Sequence, residues 1–151
     1  MHIRLDDLSG PQIRALLEEH LRGMHALSPP ESVHALDLDG LRRPEMSFWT
    51  VWDGDALMGC GALKELDATH GEIKSMRTAR EHLRRGVGRA MLEHILRTAR
   101  ERGYARLSLE TGAVPGFEAA VALYQRFGFV DCGPFADYKP DPYSRFMTLA
   151  L

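Results

Sequence analysis

Apolar side chains recur along the chain in two periods, and the change from one to the other divides it into strands and helices. Residues 2–6 alternate as a short strand. Ser9 followed by Gln12, with Pro11 between them, reads as a capping box opening a helix. In that helix Ile13, Leu16, Leu17, Leu21 and Met24 share a face, with Arg14, Glu18, Glu19 and Arg22 opposite. Pro29 and Pro30 break it, and residues 35–43 read as a loop or a short second helix. Residues 47–52 are aromatic and β-branched, Asp53-Gly54-Asp55 carries turn chemistry, and residues 56–66 are a second apolar run; together they predict a hairpin. Gly59 and Gly61 mark a bulge or the close approach of another backbone. Residues 72–78 add a further strand.

The second half has the best-defined helix. Val87, Met91, Ile95 and Ala99, with Leu92 and Leu96 beside them, form an apolar stripe over residues 87–102, and Gly103 supplies a left-handed cap. Residues 105–111 alternate as a strand, residues 112–116 are a loop, and a short helix over 117–127 stops at Gly128. Residues 129–135 and 145–151 complete the sheet around a loop at 137–142. A strand, a helix and a second strand in this order predict a βαβ crossover and an α/β fold.

A chain of 151 residues with a net charge of −2 is expected to form a single domain, residues 1–151. That charge gives no general footprint for nucleic acid. The N-terminal residues lack the apolar core of a signal peptide, and no apolar stretch reaches membrane-spanning length, so a cytoplasmic protein is expected. Cys60 and Cys132 have no metal-ligand spacing and read as small apolar residues, while His25, His34, His70, His82 and His94 are scattered. No metal site is expected. Trp49 and Trp52 read as core or hairpin-edge residues.

Against this mild composition, positive charge is concentrated at one turn. Arg84-Arg85-Gly86-Val87-Gly88-Arg89-Ala90 lies between the strand at 72–78 and the long helix, with Arg77 and Arg80 just before it. Glycines at alternate positions let the backbone approach a ligand, and the first turn of a helix leaves N–H groups unpaired at the positive end of its dipole. A small anionic ligand fits these features.

This turn, the strand before it, and Leu123-Tyr124-Gln125-Arg126-Phe127-Gly128-Phe129 some thirty-five residues later together resemble the GNAT acyltransferase superfamily, in particular its small bacterial N-acetyltransferases. The resemblance implies a mixed, splayed β-sheet flanked by helices, with acetyl-CoA as co-substrate in the gap. It implies that backbone amides of Arg84, Arg85, Gly86, Val87, Gly88 and Arg89 hold the pyrophosphate. It also implies that the strand edge at Met76, Arg77 and Thr78 pairs with the pantetheine arm. Leu83 stands where the family pattern usually has Gln or Arg, so a side-chain contact made there is missing.

Alkyl amines, with a pKa near 10.4, are mostly protonated at neutral pH and lack the lone pair that attacks a thioester, so a base is useful. Glu72 matches the position of a general-base glutamate in histone-acetylating members of the superfamily, and Glu110 is the reserve. The structural alternative for Glu72 is a solvated carboxylate paired with Lys74 or Arg77. The N–H of Met76 suits the oxyanion, and Tyr124 is the candidate acid for the departing thiolate; its alternative is a core tyrosine beside Ala120, Leu123 and Phe127. Met24, His25, Ser28 and Glu31, and in the last hairpin Asp137, Tyr138 and Lys139, lie where superfamily members overhang the acceptor. The expected reaction is direct acetyl transfer in a ternary complex to a primary amine, on a small molecule or a peptide, with a homodimer possible through open sheet edges. The competing reading is an idle module that binds acetyl-CoA or CoA as a sensor, keeping the turn without needing Glu72 or Tyr124. A dinucleotide site is disfavoured because neither a third glycine and ribose-binding acid nor a Gly-Lys-Ser/Thr ending is present.

Overall fold

In the computed structural model of the chain, residues 1–32 and 38–151 are described; His34 and the first residues of the 35–43 segment lie outside them. Seven strands form one sheet: β1 His2–Leu5, β2 Met46–Asp53, β3 Ala56–Asp67, β4 His70–Thr78, β5 Arg106–Gly112, β6 Val130–Cys132 and β7 Ser144–Ala150. Four helices accompany them: α1 Pro11–Leu27, α2 Leu38–Leu41, α3 Val87–Glu101 and α4 Glu118–Arg126. The strand order is β1-β2-β3-β4-β5-β7-β6, and every neighbouring pair is antiparallel except β4 with β5. That parallel pair needs a crossover, which α3 provides.

Each face of the sheet buries a separate apolar cluster. Alternation along β2 sends Trp49 and Val51 to one face, where they meet the stripe of α3 through Met91, Leu92 and Ile95. Phe48 goes to the other face and meets Leu8 and the Ile13, Leu16 and Leu17 stripe of α1. Trp49 is a core residue whose ring lies 4.9 Å from that of His94. Trp52 is half-buried at the hairpin edge, under the guanidinium of Arg4 at 4.4 Å.

Two sequence expectations are corrected. The capping box does not form: Gly10 is the N-cap of α1 and no side chain caps it. Ser9 Oγ instead donates to Asp7 Oδ1 at 2.6 Å, and Gln12 Nε2 donates to Asp55 O at 3.1 Å. An aspartate two residues upstream competes for the hydroxyl, and the longer amide finds a carbonyl in the β2–β3 turn. The strand expected over 129–135 is also cut to three residues, Val130–Cys132. Pro134 follows closely, has no N–H to donate, and sits where β6 forms the sheet edge.

The two glycines of β3 have a common explanation in β4. Cys60 pairs with Arg77 and Ala62 with Lys74, so Ser75 and Met76 both stand opposite Gly61, and Ser75 takes φ +54°. This is a bulge in β4. A Cβ at Gly61 would lie 2.6 Å from Met91 Cγ, and one at Gly59 would lie 2.7 Å from Arg77 O. Both positions therefore require glycine for close approach.

Candidate active site

The site begins where β4 and β5 stop pairing. Their ladder runs from His70↔Arg106 to Ile73↔Leu109 and ends, although β4 continues to Thr78 and β5 to Gly112. The strands diverge beyond that point, and a cavity of about 210 Å³ fills the gap. Lys74 to Arg77 line one side and Glu110 to Gly112 the other; α1 closes one end, and Phe117, Ala120 and Tyr124 close another. Gly112 is essential to that wall, because a Cβ there would fall 2.1 Å from the Phe117 ring.

Glu110 is the first β5 residue past the last paired position, and its partly buried carboxyl lines the cavity. Burial raises its pKa to about 7; the neighbouring Ser144 hydroxyl and the Lys74 charge oppose the rise, while Glu72 and Asp141 add to it. The group therefore changes charge near neutral pH. Tyr124, from α4, is buried with its ring 5.7 Å from Phe129, and its hydroxyl has no hydrogen-bond partner among the described residues. Desolvation holds that hydroxyl well above the ordinary tyrosine range, so it remains a proton donor.

Glu72 has a different setting. It is 2% exposed, and its Oε2 accepts from Tyr138 OH at 2.6 Å and from Lys74 Nζ at 3.2 Å. Lys74 also donates to the Tyr138 oxygen at 2.9 Å, closing a three-membered network. Phe135 and Phe146 pack on the Tyr138 ring at 5.1 and 5.5 Å. The expected pairing of Glu72 with Lys74 is present, but buried rather than solvated. Tyr138, expected over the acceptor, is half-buried and holds this carboxylate, 66 residues away in sequence. No local pattern connects such distant positions.

At the other end of the gap lies the arginine turn. Gly86 caps α3 with φ +80°, and Arg84 has φ +63°. Among the described residues, none of the N–H groups of residues 84–89 donates a hydrogen bond; Ala90 N is the first to do so, to Gly86 O at 3.0 Å. Six free donors at the positive end of a fifteen-residue helix fit a pyrophosphate. Gly86 has open space where a Cβ would stand, so the backbone there is approachable. Nearby side chains have other engagements, Arg85 with His82 Nδ1 at 2.7 Å and Arg89 with Glu93 at 3.0 Å. The β4 edge at Met76, Arg77 and Thr78 has no strand partner on the β5 side. It can take an extended ligand as a strand would.

Sequence reasoning missed His20. It lies in α1 at three and four residues past Leu17 and Leu16, within the apolar stripe, and that spacing was the signal available. It is buried against the cavity, and burial, with the Arg77 charge beside it, lowers its pKa to about 4.

A parted mixed sheet, a run of unpaired backbone N–H groups at one end of the gap and a desolvated carboxyl within it suit an enzyme that takes a long anionic co-substrate. Comparison with known proteins gives the same class. The Acetyltransferase (GNAT) family profile matches residues 12–129. An uncharacterized N-acetyltransferase of Bacillus subtilis (strain 168), YsnE, is 60% identical over 151 residues, covering 100% of both chains. The crystal structure of a putative acyl-CoA N-acyltransferase from Klebsiella pneumoniae superposes with a TM-score of 0.80 at 26% identity, covering 99% of this chain and 97% of the other. A GNAT family acetyltransferase from Elizabethkingia anophelis, solved with acetyl-CoA bound, shares the fold with a TM-score of 0.71 at 19% identity, covering 99% and 97%. The chain belongs to the GNAT acetyltransferase family. It is an acetyl-CoA-dependent N-acetyltransferase, and the sensor reading is not favoured. Among the described residues, no helix is long and apolar enough to cross a membrane.

Proposed function

We propose that this single-domain enzyme works in the cytoplasm and acetylates a primary amine by direct attack in a ternary complex, with Glu110 as general base and Tyr124 as general acid. The observation that carries the assignment is the Glu110 carboxyl, lining the gap with a pKa of about 7. A base is most useful when its pKa lies near the operating pH. Acetyl-CoA supplies the acetyl group as a thioester and leaves as the thiol. Glu110 removes a proton from the acceptor's ammonium, freeing its lone pair; as the C–N bond forms and the C–S bond breaks, the Tyr124 hydroxyl protonates the sulfur, and the second proton that the nitrogen sheds on becoming an amide restores the tyrosine. The N–H of Met76, at the bulge, serves the developing oxyanion. Residues 84–89 hold the pyrophosphate, and the edge at Met76, Arg77 and Thr78 aligns the pantetheine arm.

Glu72, the other candidate base, is better suited to a positioning role, because its Oε2 is engaged by Lys74 and Tyr138. Thiol release from acetyl-CoA, followed over a panel of amines, amino acids and peptides, tests the reading. Acceptor-dependent release that falls sharply in Glu110→Gln and less in Glu72→Gln supports it. A sharper loss in Glu72→Gln than in Glu110→Gln would return the base to Glu72.

A further inference from the structure

The wall of the cavity opposite Glu110 contains polar atoms that the proposed acetyl transfer does not use. His20 is 7% exposed and lines the cavity from α1, and its Nδ1 is buried without a hydrogen-bond partner among the described residues. Arg77, from β4, lines the same cavity, and its Nε is likewise buried and unpartnered. One unmade hydrogen bond at a buried polar atom costs about 1–3 kcal/mol, so two at adjacent groups need an explanation. An outer nitrogen of the guanidinium lies 3.6 Å from Glu19 Oε1, which ties Arg77 to α1. Met76 packs towards α3, and its neighbour Arg77 extends to the opposite face of the sheet, where α1 lies.

The chemistry of the two groups is complementary to one kind of ligand atom. A guanidinium has only donors, in a planar fork that matches a carboxylate. A neutral imidazole supplies one N–H more. The far side of the cavity carries the Glu110 carboxyl, which faces the gap, with Asp141 and the Lys74-paired Glu72 close enough to affect its titration. Met24, Leu27 and Phe117 provide apolar lining between the two ends. A cavity of this polarity selects an acceptor with a cationic head and an anionic tail.

We infer that the acceptor is a small amino acid, an amine carrying a free carboxylate, and that Arg77 and His20 form its carboxylate subsite. This rests on the amine-acetylating reading above. The main chain of Arg77 remains at the pantetheine edge while its side chain reads the acceptor, so one residue of β4 places both substrates.

Matched acceptors test the subsite. Initial rates with the wild-type enzyme at saturating acetyl-CoA are measured for leucine, leucinamide and isoamylamine, and for γ-aminobutyrate and propylamine. The amino acids are expected to exceed the carboxylate-free amines at least about tenfold in kcat/KM, since a site with buried donors rejects an analogue that leaves them unpaired. His20→Phe and Arg77→Gln should each reduce that preference about tenfold, and in His20→Phe the acetyl-CoA KM should change little. Equal rates for amino acids and their carboxylate-free analogues, or a preference untouched by both variants, overturn the subsite and leave the transferase reading intact. If no amine of any kind gives thiol release, both fall. Should the variants fail to fold, the wild-type preference alone still decides.

Discussion

Two carboxylates in one gap, Glu72 and Glu110, have different surroundings. Glu72 is locked by a lysine and a tyrosine under aromatic rings, whereas Glu110 faces the cavity with burial pushing its pKa to about 7. Glu110→Gln should lower kcat by about 10²- to 10⁴-fold, and the rise of wild-type activity through pH 7 should vanish in the variant. A pH–rate profile checks both. The same group predicts a stability trend of opposite benefit. Because its folded pKa is raised, the native state binds the extra proton between about pH 4.5 and 7, and Glu110 destabilises the fold increasingly as pH rises through that window. Glu110→Gln should therefore melt higher than the wild type at pH 8, with the difference shrinking by pH 5. Tyr124→Phe keeps the packing against Phe129 but removes the donor, and should reduce turnover about ten- to a hundredfold with modest change in acetyl-CoA affinity. Unchanged turnover in steady-state assays would assign Tyr124 to the core.

At the scale of elements, legibility followed locality. The helix after the arginine turn could be read because its apolar stripe and its glycine cap are both contained within a few turns of sequence. So could the β2–β3 hairpin and its Asp53-Gly54-Asp55 turn. Ser9 misled because the rival for its hydroxyl, Asp7, is as close in sequence as the expected partner, and pattern alone does not rank them. Residues 129–135 misled because a period-2 run was extended through Pro134. The candidate site divided in the same way: the glycine turn and its unpaired N–H groups at a helix start were visible as a motif, while the Glu72–Tyr138 contact and the titration of Glu110 depend on strands brought together only by folding. Gly59 and Gly61 were read as a bulge or a close approach. One bulge lies in the facing strand opposite Gly61, another falls at Met58 beside Gly59, and the close approach is to Arg77 and Met91. Gly59→Ala would press a Cβ against a main-chain oxygen that cannot rotate away, and should destabilise the protein by about 1–3 kcal/mol in urea titrations.

On the scale of the whole molecule, ligand binding should be visible as stability. A ligand bound by the native state alone at a hundred times its Kd adds about 2.7 kcal/mol, which for a chain of this size raises Tm by roughly 5–10 °C. Acetyl-CoA should produce such a shift in differential scanning fluorimetry, and Gly86→Ala should diminish it, because φ +80° disfavours a side chain at the cradle. A full shift in that variant would show that the turn tolerates the change.

The short β4–β5 ladder has one more consequence. Among the described residues four ladder pairs join the half-sheet β1–β4 to the half-sheet β5–β7–β6, and beyond them the two strands part like the covers of a book. An extended molecule lying along the free margin of β4 takes the place of missing rungs, and so acts as a binding thread between the leaves. Hydrogen exchange would register this as slower opening on both margins at once, at positions of β4 and β5 beyond those that carry the reacting groups.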